Sequence, residues 1–436
     1  MARNPMGLGI AALRRLGGSP LLDRWGLRDA MQRLVFQGSR GGFAAATAGN
    51  RAFKAVRRLG SPGRPPASTA GDLFDLTPDD DQAMLRDAAA RFADERLGPA
   101  AAAADGACAA PPELLSEAAA LGLAALSVPE ELDGAGGEHS PVTGALIAEA
   151  LARGDMGLAL ACLAPVGAAN ALLRWGDPDQ QAAYLAPFAG DEPPAAALAV
   201  TEPRPLFDPL RLDTAAEVKG GGYVLDGTKC LVPRAADAEF FLVAARGPDG
   251  APGVFVVERD TRGLTVEPDP GMGLRAAGTG RLSLKKARLP ATARLGGEAG
   301  CDYAALIALS RLAWGALATG TAQAVLDYVG PYANERQAFG EPISHRQGVA
   351  FMISDIAIEL NGLRLAVWRA AARAAAGRDF AREAALVQRL VARHGAGIGS
   401  RGVQILGGHG FVKEHPVERW YRDLRGAGVM EGGVMI

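Results

Sequence analysis

The sequence predicts a multidomain α+β protein: an N-terminal α-helical domain, a middle β-barrel or β-sandwich domain and a C-terminal four-helix-bundle domain, preceded by a basic N-terminal helical extension. Three observations predict it. Apolar residues recur at helical spacing from Thr77 onward. Near Ala195 the period shortens to brief apolar runs bounded by Gly, Pro and Asp, and from about residue 300 long helical periods resume. The expected boundaries are 1–76 for the extension and linker, 77–194 for the helical domain, 195–297 for the β domain and 298–436 for the bundle. A chain of 436 residues is too long for one ordinary core, in keeping with this division.

The extension holds twelve Arg or Lys between residues 1 and 64 and only two acids, Asp23 and Asp29, so the remainder of a chain of net charge -2 is acidic. A segregated basic arm with weak amphipathic periodicity reads as a membrane-surface contact, a packing arm or a transit peptide. Ser61-Pro-Gly-Arg-Pro-Pro-Ala-Ser68 reads as a linker. Thr77-Pro78-Asp79-Asp80 places a capping hydroxyl before a proline, with acids where a helix N-terminus favours them. Helices are expected over about 113–121, 141–152 and 178–188. Strands are expected at Ala195–Val200, Tyr223–Leu225, Phe240–Ala244, Val254–Glu258 and Leu282–Leu284, and long helices at 301–333, 345–376 and 380–405.

Composition narrows function. Hydrophobic residues at 49% and charged residues at 22% fit a soluble globular protein, and no run of about 18 uninterrupted apolar residues occurs. The four cysteines are far apart and form no C-x-x-C pair, which points to a reducing, cytoplasmic setting, peripheral to a membrane if the basic arm binds one. Scattered histidines offer no metal-ligand spacing, and no nucleic-acid partner is expected.

Several motifs carry chemistry. Arg336, in Tyr332-Ala-Asn-Glu-Arg-Gln-Ala-Phe-Gly-Glu-Pro-Ile343, is a guanidinium fork suited to a pyrophosphate or, more blandly, to a surface ion pair. Gly407 and Gly408, in Gln404-Ile-Leu-Gly-Gly-His-Gly-Phe411, permit close backbone approach or simply cap a helix. Arg311 lies in an apolar helix and needs an acid, a phosphate or a route to solvent. With Pro416-Val-Glu-Arg-Trp-Tyr-Arg-Asp423, Met430-Glu-Gly432, Thr201-Glu-Pro203, Asp226-Gly-Thr-Lys229 and Met272-Gly-Leu-Arg275, these pieces resemble the acyl-CoA dehydrogenase family, in the family's order, over about 77–436.

The resemblance implies an FAD-dependent oxidation of an acyl-CoA thioester to the trans-2-enoyl-CoA, as in fatty-acid β-oxidation. It implies Glu431 as the catalytic base, with Arg311 and Gly432 at the substrate. It implies Thr201, Arg336, Phe339, Gln347, Gln404, Gly407 and Gly408 as cofactor-binding residues, several reaching the FAD of a neighbouring subunit. It further implies an electron-transferring flavoprotein as electron acceptor and a homo- or hetero-oligomer, dimeric or tetrameric.

The chain also departs from the family's pattern. The family's T-E-P-x-A-G-S-D appears as Thr201-Glu-Pro-Arg-Pro-Leu-Phe-Asp208, and K-x-W-I-T over the flavin ring appears as Lys229-Cys-Leu-Val-Pro233. The usual E-G-T reads Glu431-Gly-Gly433, and the sequence reaches Ile436 where the family runs on into another helix; a Glu431 left wet there would keep an ordinary pKa, so its role as base is conditional on FAD being held beside it. Two readings therefore stand: an active dehydrogenase, or a flavin-poor, non-catalytic or half-catalytic subunit of a hetero-oligomer.

Overall fold

The computed structural model describes residues 77–436, apart from 137–139 and 191. The expectations for the basic extension and its linker fall outside the described residues. The remainder follows the predicted order of helices, sheet and helices.

The first helix, α1 (Asp80–Phe92), begins later than Thr77 suggested. Asp79 is its cap: its Oδ1 accepts the Gln82 N–H at 2.8 Å, and Gln82 Oε1 accepts the Asp79 N–H at 3.3 Å. The reciprocal bond, which an acid and a glutamine three residues apart can make, outcompetes the threonine. Next come α2 (Gly98–Ala107), α3 (Pro112–Ala119), α4 (Pro141–Gly154) and α5 (Met156–Trp175). Asp155 ends α4 and caps α5, its Oδ1 accepting the Leu158 N–H at 2.9 Å. Periodicity missed α5 because it is apolar on every side and buried along most of its length. The expected helix over 178–188 is instead a capped turn at Pro178–Gln180 running into π and 3-10 turns.

The middle domain is one curled sheet of β1 (Ala196–Ala199), β2 (Ala215–Lys219), β3 (Gly222–Val232), β4 (Phe240–Arg246), β5 (Pro252–Glu258), β6 (Leu264–Pro268) and β7 (Gly280–Leu289). Its order is β1-β4-β2-β3-β7-β6, with β5 on β4. In β4, Phe241 and Val243 face the sheet's own core, while Phe240 and Leu242 face the helical core. Burial on both faces is why its sequence is a continuous apolar run rather than an alternation. β2 and β6 are largely exposed, so their composition gave no strand signal.

The bundle comprises α6 (Tyr303–Glu335), α7 (Gln347–Ala375), α8 (Ala381–Leu390), which passes through a π turn into α9 (Ala396–Leu406), and α10 (Val417–Ala427). Gly320 lets α6 lie against α4, since a Cβ there would overlap the Glu149 carbonyl. Two described helices, α5 and α6, are long and apolar enough to cross a membrane, and both are mostly buried inside the protein. All four cysteines are free.

Two non-glycine residues adopt left-handed backbone at the sequence's points of departure: Leu206 at φ 53° and Leu231 at φ 54°. Leu206 stands where the motif it resembles has glycine, so the turn has kept a glycine conformation under a side chain that disfavours it. Leu206 is also 99% exposed and gains nothing from packing. Leu206→Gly is therefore expected to raise stability by about 0.5–1 kcal/mol in urea denaturation, the relief of strain exceeding glycine's entropic cost.

Candidate active site

Motif by motif, α10 is fastened to the other domains, and this positions the segment that follows it. Arg422 grips Asp105 at 2.8 and 2.9 Å, Arg419 grips Asp155 at 2.9 Å, and Asp423 Oδ1 accepts the Leu274 N–H at 2.6 Å. The first two anchors reach the helical domain and the third reaches the β domain. The two arginine–carboxylate pairs are charge-assisted and largely buried, and bonds of that kind hold an element to one geometry.

From α10 the chain passes inward. Met430, Glu431, Val434, Met435 and Ile436 are all buried. Glu431 is only 7% exposed: the residues after it fold over it, and the carboxylate is not left wet. Arg311, from the middle of α6, meets it as a fork, with Nη2 to Oε1 at 2.7 Å and Nε to Oε1 and Oε2 at 3.1 and 3.0 Å. This is the acid that an arginine in an apolar helix called for, and the Arg311 side chain is itself only partly buried. Burial pushes the Glu431 carboxyl above the usual carboxylate range, Arg311 pulls it back, and the charge of Asp208 pushes it up again.

The backbone around Glu431 is held by side chains from three elements. Thr201 Oγ1 donates to the Glu431 carbonyl at 2.7 Å, Trp314 Nε1 donates to the Gly432 carbonyl at 2.8 Å, and Asn170 Nδ2 donates to the Met435 carbonyl at 3.3 Å. Gly432 and Gly433 both take left-handed backbone, at φ 70° and 79°. Gly432 fits because a Cβ would strike Val200. The Glu431 N–H donates to no group among the described residues.

Behind Thr201, Lys229 is fully buried, its Nζ 2.9 Å from Glu202 Oε1 and 3.0 Å from the Val200 carbonyl. Glu202 also accepts the Asp213 and Thr214 N–H groups, each at 2.8 Å. Burial draws the Lys229 ammonium down to about 8 against the pull of Glu202. Burial alone would raise the Glu202 carboxyl, but Lys229 and the two backbone donors outweigh it and leave it below its ordinary value.

An apolar slot leads away from Glu431 between α4 and α5, and it holds Val434, Met435 and Ile436. Burying such side chains stabilises by roughly 1.5–3 kcal/mol each. Val434, Met435 and Ile436 form part of the wall of a cavity of about 440 Å³, with Leu85, Ile147, Asn170 and the carboxylates Asp79 and Asp81 among its other walls. Sequence reasoning missed Asn170, Trp314, Gly144 and Gly167 as site residues. None lies in a motif, and only the packing of α4, α5 and α6 brings them to the slot.

The remaining candidates lie elsewhere. Arg336, Phe339, Gln347, Gln404, Gly407 and Gly408 are all exposed, with Phe339 96% exposed. The Arg336 guanidinium takes part in no ion pair among the described residues, and the space around Gly407 and Gly408 is open. Gly407, at φ 58°, also ends α9, so the bland reading as a cap holds alongside any other. The structure thus brings Thr201, Arg311, Glu431 and Gly432 together and keeps the other six on an outward face.

A helical domain, a curled sheet and a helical bundle enclosing a buried carboxylate beside an apolar slot define an α–β–α enzyme class. Comparison with known proteins narrows it. Residues 79–192, 197–287 and 302–434 match the family models for the N-terminal, middle and C-terminal domains of acyl-CoA dehydrogenase. The chain is 33% identical over 366 residues to the mitochondrial short-chain specific acyl-CoA dehydrogenase of Bos taurus, covering 80% of this chain and 86% of that protein. Butyryl-CoA dehydrogenase from Megasphaera elsdenii superposes with a TM-score of 0.74 at 27% identity, covering 82% of this chain and 95% of that one. PigA in its FAD complex superposes with a TM-score of 0.75 at 26% identity over the same shares. The chain belongs to the acyl-CoA dehydrogenase family, whose members are FAD-dependent oxidoreductases.

Fit to FAD is uneven along the chain. The outward set, with a free guanidinium and open glycine backbone, suits an anionic diphosphate presented from outside. The wall at Thr201 and Pro233 is covered by the chain's own segment: the Thr201 hydroxyl is bonded to Glu431, and the Pro233 ring lies 3.5 Å from where a Cβ of Gly433 would be.

Proposed function

We propose that this chain is an FAD-dependent acyl-CoA dehydrogenase that oxidises an acyl-CoA thioester to the trans-2-enoyl-CoA, with Glu431 removing the α-proton. The burial of the Glu431 carboxylate in the grip of Arg311 carries this reading. A thioester α-proton is too weakly acidic for a wet glutamate, and burial both raises the base's pKa and excludes water. The unengaged Glu431 N–H is a donor for the thioester carbonyl, whose charge grows as the proton leaves. Gly432 keeps the backbone slim at that point, and Arg311 holds the carboxylate's orientation.

When bound, FAD supplies the hydride acceptor that no side chain offers. Arg336, Phe339, Gln347, Gln404, Gly407 and Gly408 would hold the FAD of a neighbouring subunit, and Thr201 would meet the flavin bound by its own chain. On this reading the chain works in an oligomer with an electron-transferring flavoprotein as acceptor. In the test, α-deuterated octanoyl-CoA is given to the FAD-loaded chain. Loss of α-deuterium together with trans-2-octenoyl-CoA in the mass spectrum is expected; unchanged thioester with FAD bound contradicts it.

Arg311→Gln tests the electrostatics. Arg311 lowers the carboxyl's pKa, so without it Glu431 stays protonated to higher pH. The acid limb of kcat/KM is expected to move upward in pH, measured with octanoyl-CoA between pH 5 and 9.

One observation favours a second reading. The covered wall at Thr201 and Pro233, with leucine at 231 and proline at 233, suits a subunit that presents Arg336 and Gln404 to a partner's FAD while holding none of its own.

A further inference from the structure

The joint beneath α10 holds more buried carboxylates than its arginines neutralise. Asp105 on α2, Asp155 between α4 and α5, and Asp423 on α10 are all buried. Arg422 commits its two amino groups to Asp105, at 2.8 and 2.9 Å, and its Nε to Glu418 at 2.8 Å. Arg275 and Lys413 also face Asp105, each at 3.8 Å. Arg419 Nε meets Asp155 Oδ2 at 2.9 Å, and Asp155 Oδ1 caps α5. Asp423 is left with the Leu274 N–H at 2.6 Å and takes part in no ion pair among the described residues. That contact is tightly built: Leu274 is buried on a left-handed backbone, φ 57°, and a Cβ on Gly273 would overlap the backbone of Arg422 and Asp423.

A carboxylate buried this deeply is costly unless a cation pairs with it, and a second carboxylate nearby adds to the cost. A neutral acid avoids both penalties and still accepts the Leu274 N–H. We infer that Asp423 carries a proton in the folded protein, and that this neutral acid is a positioning residue that seats α10 and the segment leading to Glu431. Burial and the charge of Asp155 push its carboxyl up to about 8, against the pull of the Leu274 N–H, Arg422 and Arg419. The other charges at the joint, Asp105, Glu418, Arg275 and Lys413, engage one another or Arg422. Helix α10 ends at Ala427, and the chain reaches Glu431 directly after it. Above about pH 8 the proton leaves, a second anion stands beside Asp155, and the seat weakens. None of this depends on the acyl-CoA reading.

An acid that keeps its proton when folded and loses it when unfolded makes stability fall as pH rises from about 4 toward the folded value. The full chain and Asp423→Asn are therefore unfolded in urea at intervals from pH 5 to 9. The amide does not titrate, and it matches a neutral acid with one oxygen for the Leu274 N–H and one donor group. The native folding constant, divided by that of the variant, is expected to fall about tenfold per pH unit up to about pH 8 and then level off. A ratio that is flat throughout means an ionised Asp423 and overturns the inference. Asp423→Ala removes the acceptor as well, so near neutral pH its folding constant is expected to lie about tenfold or more below that of Asp423→Asn. Equal losses in the two variants, or an Asp423→Asn chain that does not fold, also overturn it. Trp314 donates to the Gly432 carbonyl, so the emission that Trp314→Phe removes reports the seating of the Glu431 segment. That emission is expected to change as pH passes about 8 and to stay constant in the Asp423→Asn background. No change between pH 7 and 9 in the native background overturns the positioning role.

Discussion

Glu431→Gln is expected to lower kcat for an acyl-CoA by at least about 10³-fold while leaving flavin content and thermal stability close to native. The amide fills the same space and keeps one acceptor for Arg311, so the fork loses a charge partner without losing its shape. What disappears is the carboxylate proposed to take the proton from the α-carbon. The effect belongs in kcat more than in KM, because the base acts in the transition state and contributes little to holding substrate. Turnover within threefold of native would remove Glu431 from the chemistry.

Lys229→Met carries the largest expected loss of stability. The ammonium and the Glu202 carboxylate are almost completely buried, and each is the other's counter-charge. Removing one partner leaves the other charged and dry, which costs about 3–5 kcal/mol. Adding Glu202→Gln to Lys229→Met removes the stranded charge and is expected to restore part of the loss. Full recovery is not expected, because Glu202 also accepts the Asp213 and Thr214 N–H groups and an amide has a single acceptor oxygen. Urea denaturation of the three variants measures this. Because the pair lies directly behind Thr201, its loss is also expected to loosen the grip on the Glu431 carbonyl.

The sequence was legible where physics is local. Helical period, strand-like apolar runs and Gly-Pro punctuation outlined three domains in order, and the lengths of α6, α7 and the α8–α9 helix followed from long uninterrupted periods. It failed where structure is made by the surroundings. Helix α5 has no polar face to reveal its period, and β2 and β6 are exposed strands whose residues resemble loops. The Arg311–Glu431 pair joins residues 120 apart; no local pattern states that contact, and only the family resemblance set the arginine near the glutamate. Local sequence alone also left open whether Glu431 is wet or buried. Local sequence showed glycines and a short apolar run, whereas Gly144, Gly167 and Asn170, far upstream, make the slot that draws that run inward. The departures at Leu206 and Leu231 were visible as letters, and their left-handed backbone was not.

The most direct test of the account is flavin behaviour in the chain by itself. The protein is purified alone, supplied with FAD, freed of unbound cofactor and titrated anaerobically with octanoyl-CoA while the visible flavin band is followed. The account predicts a yellow protein whose band bleaches in proportion to the octanoyl-CoA added, with Glu431→Gln equally yellow and unbleached. A colourless chain that acquires flavin only when mixed with a second, different subunit would contradict it.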